Sequence, residues 1–133
     1  MLLRLSTLCT GRTGVRPVVV DTYAAALNAG IVPVVYEYGS LGCSGDLAPL
    51  AHCALALLGE GEVRVEGKRQ PLEGAGIRPL QLREKEGLAL INGTDGMLGQ
   101  LCLAIADLEA LARQADIATA LTLEGLQGSL DAV

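Results

Sequence analysis

From Asp95 to Glu124 the chain places Leu98, Leu101, Ile105, Leu108, Leu111 and Ala115 at steps of three and four residues. That spacing lines apolar side chains along one stripe of an α-helix. Glu109 and Arg113 add an i,i+4 ion pair on the same segment. A helix of this extent is roughly 45 Å long at ~1.5 Å per residue, too long for a compact globule of 133 residues. Met97 to Ala106 is apolar nearly all round, broken only by Gly99 and Gln100, which predicts burial inside a bundle. The expected fold class is therefore mainly α: a fragment of a long-helix bundle. Two parts are expected, residues 1–94 and a long bundle helix with its end over 95–133. The whole is read as one segment of a larger helical protein.

Composition supports helix-on-helix packing. Half the residues are apolar, yet aromatics make up only 2%, with no Phe or Trp, so the core is expected to close through Leu, Ala, Val and Ile. Such apolarity in a small domain predicts that other chain covers part of its surface. A net charge of −5, with no basic patch interleaved with aromatics, argues against nucleic acid as a partner. Charge-free runs such as Ala48–Leu58 are too short to span a bilayer, so no membrane is expected. The start resembles a signal peptide only faintly: Arg4 and Arg12 interrupt it and no A-x-A site follows. Cys9, Cys43, Cys53 and Cys102 lack C-x-x-C spacing. They are expected to be reduced, mostly buried thiols of a cytoplasmic protein, with no metal site.

Several shorter elements precede the long helix. An apolar start breaks into a turn at residues 10–14. Residues 16–29 predict a helix with Pro17 in its first turn, closed by Asn28 and Gly30. Ile31–Tyr36 is β-branched but holds Pro33, which predicts an extended connection rather than a central strand. Residues 47–58 predict a second helix, its buried stripe Leu47, Leu50, Ala51, Ala54, Leu55 and Leu58, stopped by Gly59. Alternation over 62–69 predicts a small exposed hairpin, and residues 71–82 a loop with a short helix. Residues 83–91 predict a helix ending in a tight bend at Asn92-Gly93.

Chemistry concentrates in Gly39-Ser40-Leu41-Gly42-Cys43-Ser44-Gly45-Asp46, which drops directly into the 47–58 helix. Asp46 is a good N-cap, and Ser44 would sit at the positive end of a helix dipole. Three readings fit these residues. A Ser44–His52–Asp46 triad is disfavoured, because G-C-S-G is not a nucleophile elbow and His52 falls on the apolar side of its helix. An anion cradle of backbone amides is allowed physically, but no Lys or Arg lies nearby in sequence. The third is backbone self-modification. In a sharply bent x-Ser-Gly the Gly45 nitrogen can reach the Cys43 carbonyl carbon; loss of water closes a five-membered ring, and loss of the Ser44 hydroxyl leaves a methylidene-imidazolone.

The run G-S-L-G-C-S-G-D-L-A-P-L-A-H, followed by L-L-G-E-G-E, closely resembles the signature of the aromatic amino acid ammonia-lyases. E-K-E-G-L-A-L-I-N-G-T at 84–94 resembles that family's second active-site segment, and T-G-R-T-G-V-R-P at 10–17 the run ahead of its signature. The likeness is collinear over essentially the whole chain and runs strongest toward the histidine-specific branch. Cys43 stands where the commonest family triad has Ala; only its backbone carbonyl enters the ring.

The resemblance implies that Cys43, Ser44 and Gly45 form 4-methylidene-imidazol-5-one without external cofactor, Ser44 becoming dehydroalanine. It implies that Asp46 positions the loop and that Asn92 hydrogen-bonds the ring oxygen or the substrate region. The implied reaction takes L-histidine to trans-urocanate and ammonia in a cytoplasmic homo-oligomer, a tetramer. Tyrosine or phenylalanine ammonia-lyases and aminomutases are the alternatives within the family, and an inert helical remnant or assembly module the alternative outside it. The family's catalytic tyrosines and carboxylate-binding arginine find no match in these residues, so the isolated chain is expected to be inactive. Tyr36 and Tyr38 are read as packing, His52 and Cys53 as core, and Asn92 without the family likeness as a left-handed helix cap.

Overall fold

A computed structural model describes residues 1–43, 45–129 and 131. It divides into two compact units, Met1–Leu98 and Gly99–Val133. The first holds α1 (Leu2–Cys9), α2 (Pro17–Asn28), β1 (Val32–Pro33), α3 (Leu47–Leu58), β2 (Glu62–Val65), β3 (Lys68–Pro71), a 3-10 turn at Leu72–Ala75 and α4 (Glu86–Ile91). The long helix α5 (Asp95–Gly125) starts in this unit and makes up most of the second.

The core of the first unit is aliphatic, as the composition requires. Leu8, Val19, Ala26, Leu57, Val63, Leu72 and Leu90 pack into one cluster with Tyr23. The Tyr23 hydroxyl is buried with no hydrogen-bond partner, and burial pushes its pKa up. Helix α2 ends as Asn28 and Gly30 predict: Gly30 turns left-handed at φ 64°, and the Ile31 amide donates to the Ala26 carbonyl at 2.9 Å.

Helix α3 has the predicted limits but not the predicted face. Its buried residues are Pro49, Leu50, Cys53, Ala54, Ala56 and Leu57, whereas Leu47 and Leu55 are exposed. The step 50, 53, 54, 57 is the i, i+3, i+4, i+7 stripe; a run this apolar offers several such stripes, and the neighbours choose among them. Cys53 is buried and its thiol pKa is raised by burial. Cys9, Cys43 and Cys102 are exposed, so the expectation of mostly buried thiols fails. It fails because hydropathy says what a thiol tolerates, not where the fold puts it.

The hairpin over 62–71 forms, with Glu66 and Gly67 both at positive φ in its two-residue turn. It is not wholly exposed, since Val63 is fully buried. Nor does it stand alone. Val32 and Pro33 pair with Arg64 and Val63, making an antiparallel sheet of order β1-β2-β3. The proline stays tolerable because β1 is an edge strand.

Among the described residues none of α5 is buried. Leu101, Leu103, Leu108, Leu111 and Leu121 all stand exposed. A helix hidden on every side needs covering surface, and these residues do not supply it. The i,i+4 pair Glu109–Arg113 is present at 4.0 Å. An 18-residue window within Glu86–Gly125 is apolar and long enough to cross a membrane by length and composition. Counting charge-free runs overlooks it, because that window tolerates a few scattered charges.

Helix α4 has six residues, too short to be stable by itself. Its N-terminus is fastened by the buried Glu86. That carboxylate accepts from Arg16 Nε at 2.8 Å, Arg16 Nη2 at 2.8 Å, the Arg16 amide at 3.1 Å and the Arg83 amide at 2.8 Å. The Arg16 hydrogen bonds come first among the causes that hold its pKa at about 2, below the ordinary 4.5. The folded state thus binds the proton more weakly than the unfolded chain. The stabilisation is complete above pH 4.5 and is lost as the pH falls toward 2. Melting followed by circular dichroism between pH 6 and pH 2.5 should show this acid limb. Glu86→Gln should cost about 2 kcal/mol at neutral pH and flatten the limb.

Candidate active site

The loop before α3 bends at three glycines. Gly39, Gly42 and Gly45 all have left-handed backbones, at φ 116°, 63° and 78°, a region L side chains avoid. Asp46 occupies the N-cap position of α3 but makes no side-chain capping bond. Its carboxylate turns back instead. Oδ1 accepts from the Leu41 amide at 3.1 Å, and Oδ2 accepts a short bond from the Ser40 hydroxyl. Asp46 is only 2% exposed. It therefore closes the loop on itself, and the cap expected from sequence gives way to that clamp. Cys43 lies exposed on the loop. Ser44 falls outside the described residues, so the structure says nothing of its place.

The second segment meets the loop at Asn92. This residue ends α4 in an extended conformation, φ −89° and ψ 93°, not the left-handed one of an ordinary Asn cap. Its Oδ1 lies 3.2 Å from where a Cβ on Gly45 would be, and the Gly93 amide nitrogen lies 3.9 Å from that point. Asn92 and Gly45 thus face each other across 47 positions of sequence. Beneath them lies Arg4, 3% exposed. Its Nη1 donates to the Asn92 carbonyl at 3.0 Å and to Asp95 Oδ2 at 2.9 Å. Gly93 must lack a side chain, because a Cβ there would collide with the Arg4 guanidinium and the Asp95 carboxylate.

The remaining candidates are placed differently. His52 is half-buried. Its Nδ1 accepts from the Tyr36 amide at 3.3 Å, and the two rings meet edge-to-face at 5.0 Å. His52 therefore belongs to the margin of the core, and no hydrogen bond joins it to Asp46 among the described residues. Tyr36 and Tyr38 are 55% and 84% exposed. Tyr36 packs only its ring edge-to-face on His52, and Tyr38 stands mostly in solvent, so the expectation of packing fails for Tyr38. Among the described residues no group of His, Cys, Asp and Glu is arranged to hold a metal ion.

A family model described as aromatic amino acid lyase matches residues 1–133. The chain belongs to the aromatic amino acid lyase family. Histidine ammonia-lyase of Streptomyces coelicolor is 63% identical over 134 residues, covering 97% of this chain and 26% of that protein. The crystal structure of histidine ammonia-lyase from Trypanosoma cruzi superposes with a TM-score of 0.82 at 40% identity, over 96% of this chain and 26% of that one. Tyrosine aminomutase from Streptomyces globisporus superposes with a TM-score of 0.73 at 46% identity, over 91% and 23%. The chain thus spans about a quarter of the length of the curated relatives it matches. The mainly helical fold with its small sheet is shared with these lyase and aminomutase structures.

Within this lyase-family segment, the sequence names Cys43–Asp46 and Asn92 as candidates and the structure brings Gly45 and Asn92 together, but the sequence does not name what holds them. Ser40 and Arg4 were missed. Arg4 carried a readable signal: a lone cation inside the apolar run Leu2–Leu8 is either on the outside face or buried with a partner. Asp46→Ala separates clamp from cap. It should leave α3 and the far-UV spectrum intact, since no capping bond is lost, while hydrogen exchange at the Leu41 amide accelerates and stability drops by about 1–2 kcal/mol.

Proposed function

We propose that this segment is the prosthetic-group-forming part of a histidine ammonia-lyase. The observation that carries the reading is the approach of Asn92 to Gly45 over a loop bent by left-handed glycines and clamped by Asp46. These residues fit a group built from Cys43, Ser44 and Gly45: the loop is sharply bent, Gly45 has no Cβ to obstruct its nitrogen, and an amide side chain faces it. The Gly45 nitrogen attacks the Cys43 carbonyl carbon. The carbonyl oxygen leaves as water with the Gly45 and Ser44 amide hydrogens, and a C=N bond forms. Ser44 then loses its hydroxyl and α-hydrogen as a second water.

Once formed, the 4-methylidene-imidazol-5-one supplies an electrophilic carbon for the substrate amine. Asn92 supplies a polar amide beside it. The N-terminus of α3 favours negative charge next to the loop. Asp46 holds the bend while the bond forms. No Lys or Arg occurs between Tyr36 and Ala51 to receive a substrate carboxylate, which supports the reading that the 133 residues do not turn over alone.

The 63% identity to a histidine ammonia-lyase supports L-histidine as substrate and ammonia as a product; the reading is completed by trans-urocanate as the second product and by a cytoplasmic homotetramer. The likeness to tyrosine aminomutase at 46% identity supports the second reading, a tyrosine- or phenylalanine-specific enzyme of the same kind.

Intact-mass measurement of the purified chain tests the reading. Loss of two waters, about 36 Da, is expected, and Ser44→Ala and Gly45→Ala should both abolish it. A wild-type chain of unmodified mass overturns the reading in favour of an inert module. Incubation with L-histidine should produce no urocanate absorbance; robust turnover by the chain alone would show that nothing beyond it is needed.

A further inference from the structure

We propose that Arg4 is a positioning residue of the candidate site, acting through Asn92. Its consequence for chemistry rests on the reading of Cys43–Gly45 as ring precursors. Arg4 comes from α1, 88 positions away from Asn92 in sequence. Its burial is nearly complete, and its Nη1 divides between a carboxylate and a backbone carbonyl, Asp95 Oδ2 and Asn92 O. An ion pair alone would need only the first. The second bond matters because the Asn92 carbonyl belongs to the last turn of α4, where the helix provides no partner.

The Asn92 amide meanwhile donates to the Leu88 carbonyl at 3.0 Å. Both backbone groups of Asn92 are therefore held, one by its own helix and one by Arg4. That fixes the direction in which its Cβ leaves the chain, and the direction is toward Gly45. Gly93 completes the arrangement by leaving space for the guanidinium. Without Arg4 the carbonyl would be free to rotate, and the Asn92 amide would no longer be held against the loop.

The experiment is a double-mutant cycle on the whole 133-residue chain, using Arg4→Met, Asn92→Ala and the pair. Intact mass gives the fraction lighter by two waters after a fixed refolding time, and far-UV circular dichroism checks that each variant is folded. Each single change should lower that fraction about tenfold, and the pair should fare no worse than the poorer single variant. A role confined to general stability would make the losses multiply. Multiplying losses, or Arg4→Met maturing like wild type, overturn the proposal. If Arg4→Met does not fold, Arg4→Lys takes its place in the cycle under the same criteria. If the wild type keeps both waters, the ring reading falls by itself. The proposal is then decided by the Asn92 side-chain amide resonances in nitrogen-15 spectra of wild type and Arg4→Lys. Collapse to the position of a free amide in the variant supports it, and unchanged resonances overturn it.

Discussion

Two arginines hold the ends of the short helix α4, whose Ala89 and Leu90 are buried in the core. Six residues cannot repay the cost of starting a helix in water. Arg16 grips the Glu86 carboxylate at one end, and Arg4 takes the Asn92 carbonyl at the other. Both arginines come from the first sixteen residues, and both bonds cross most of the chain. Remove them and Asn92 has no defined position relative to the glycine loop. The candidate site therefore depends on charge pairs that themselves perform no chemistry. Arg4 and Asp95 are shielded from water, where a lost partner is costly, whereas Arg16 reaches the buried Glu86 from a partly exposed position.

The other half of the site is held by a different device. Three left-handed glycines provide a bend that other residues would resist, and the Asp46 carboxylate closes it by accepting from Ser40 and Leu41. Glycine makes the shape possible without enforcing it, and the buried carboxylate does the enforcing. An aspartate just ahead of a helix usually accepts from the amides of the first turn. Here that bond is given up, and α3 begins under Pro49 and Leu50 packing instead.

What could be read in the sequence was what local rules control. The limits of α3 and α5, the two-residue hairpin turn at Glu66-Gly67, the closure of α2 at Gly30 and the breaks near Asn92 all follow from spacing, glycine and proline. The motif around Cys43–Asp46 and that around Asn92 were legible because their residue types serve the backbone itself. What escaped was set by partners distant in sequence. The buried face of α3 depends on which neighbours arrive. The pairing of Val32 and Pro33 with β2 needs a strand thirty positions away. The orientation of Asp46 needs Ser40 to fold back on it. Arg4 looked like an interruption of an apolar run, and only the structure shows the Asn92 carbonyl and Asp95 waiting for it. The exposed apolar flank of α5 marks the opposite case: the sequence pattern asks for cover that these residues do not provide.

The 88-position separation between Arg4 and Asn92 also sets an order in time. Contacts that close long loops form late, because their entropy must be met before they yield anything. The bend at Gly45 is local in sequence, whereas the approach of Asn92 to it depends on Arg4 from α1 and on the grip of Arg16 at the start of α4. A nascent or partly folded chain would carry the Cys43-Ser44-Gly45 sequence in an ordinary, unreactive form. Under the proposed function, covalent maturation would thus act as a record of completed folding, written once into the backbone of molecules that had assembled this unit.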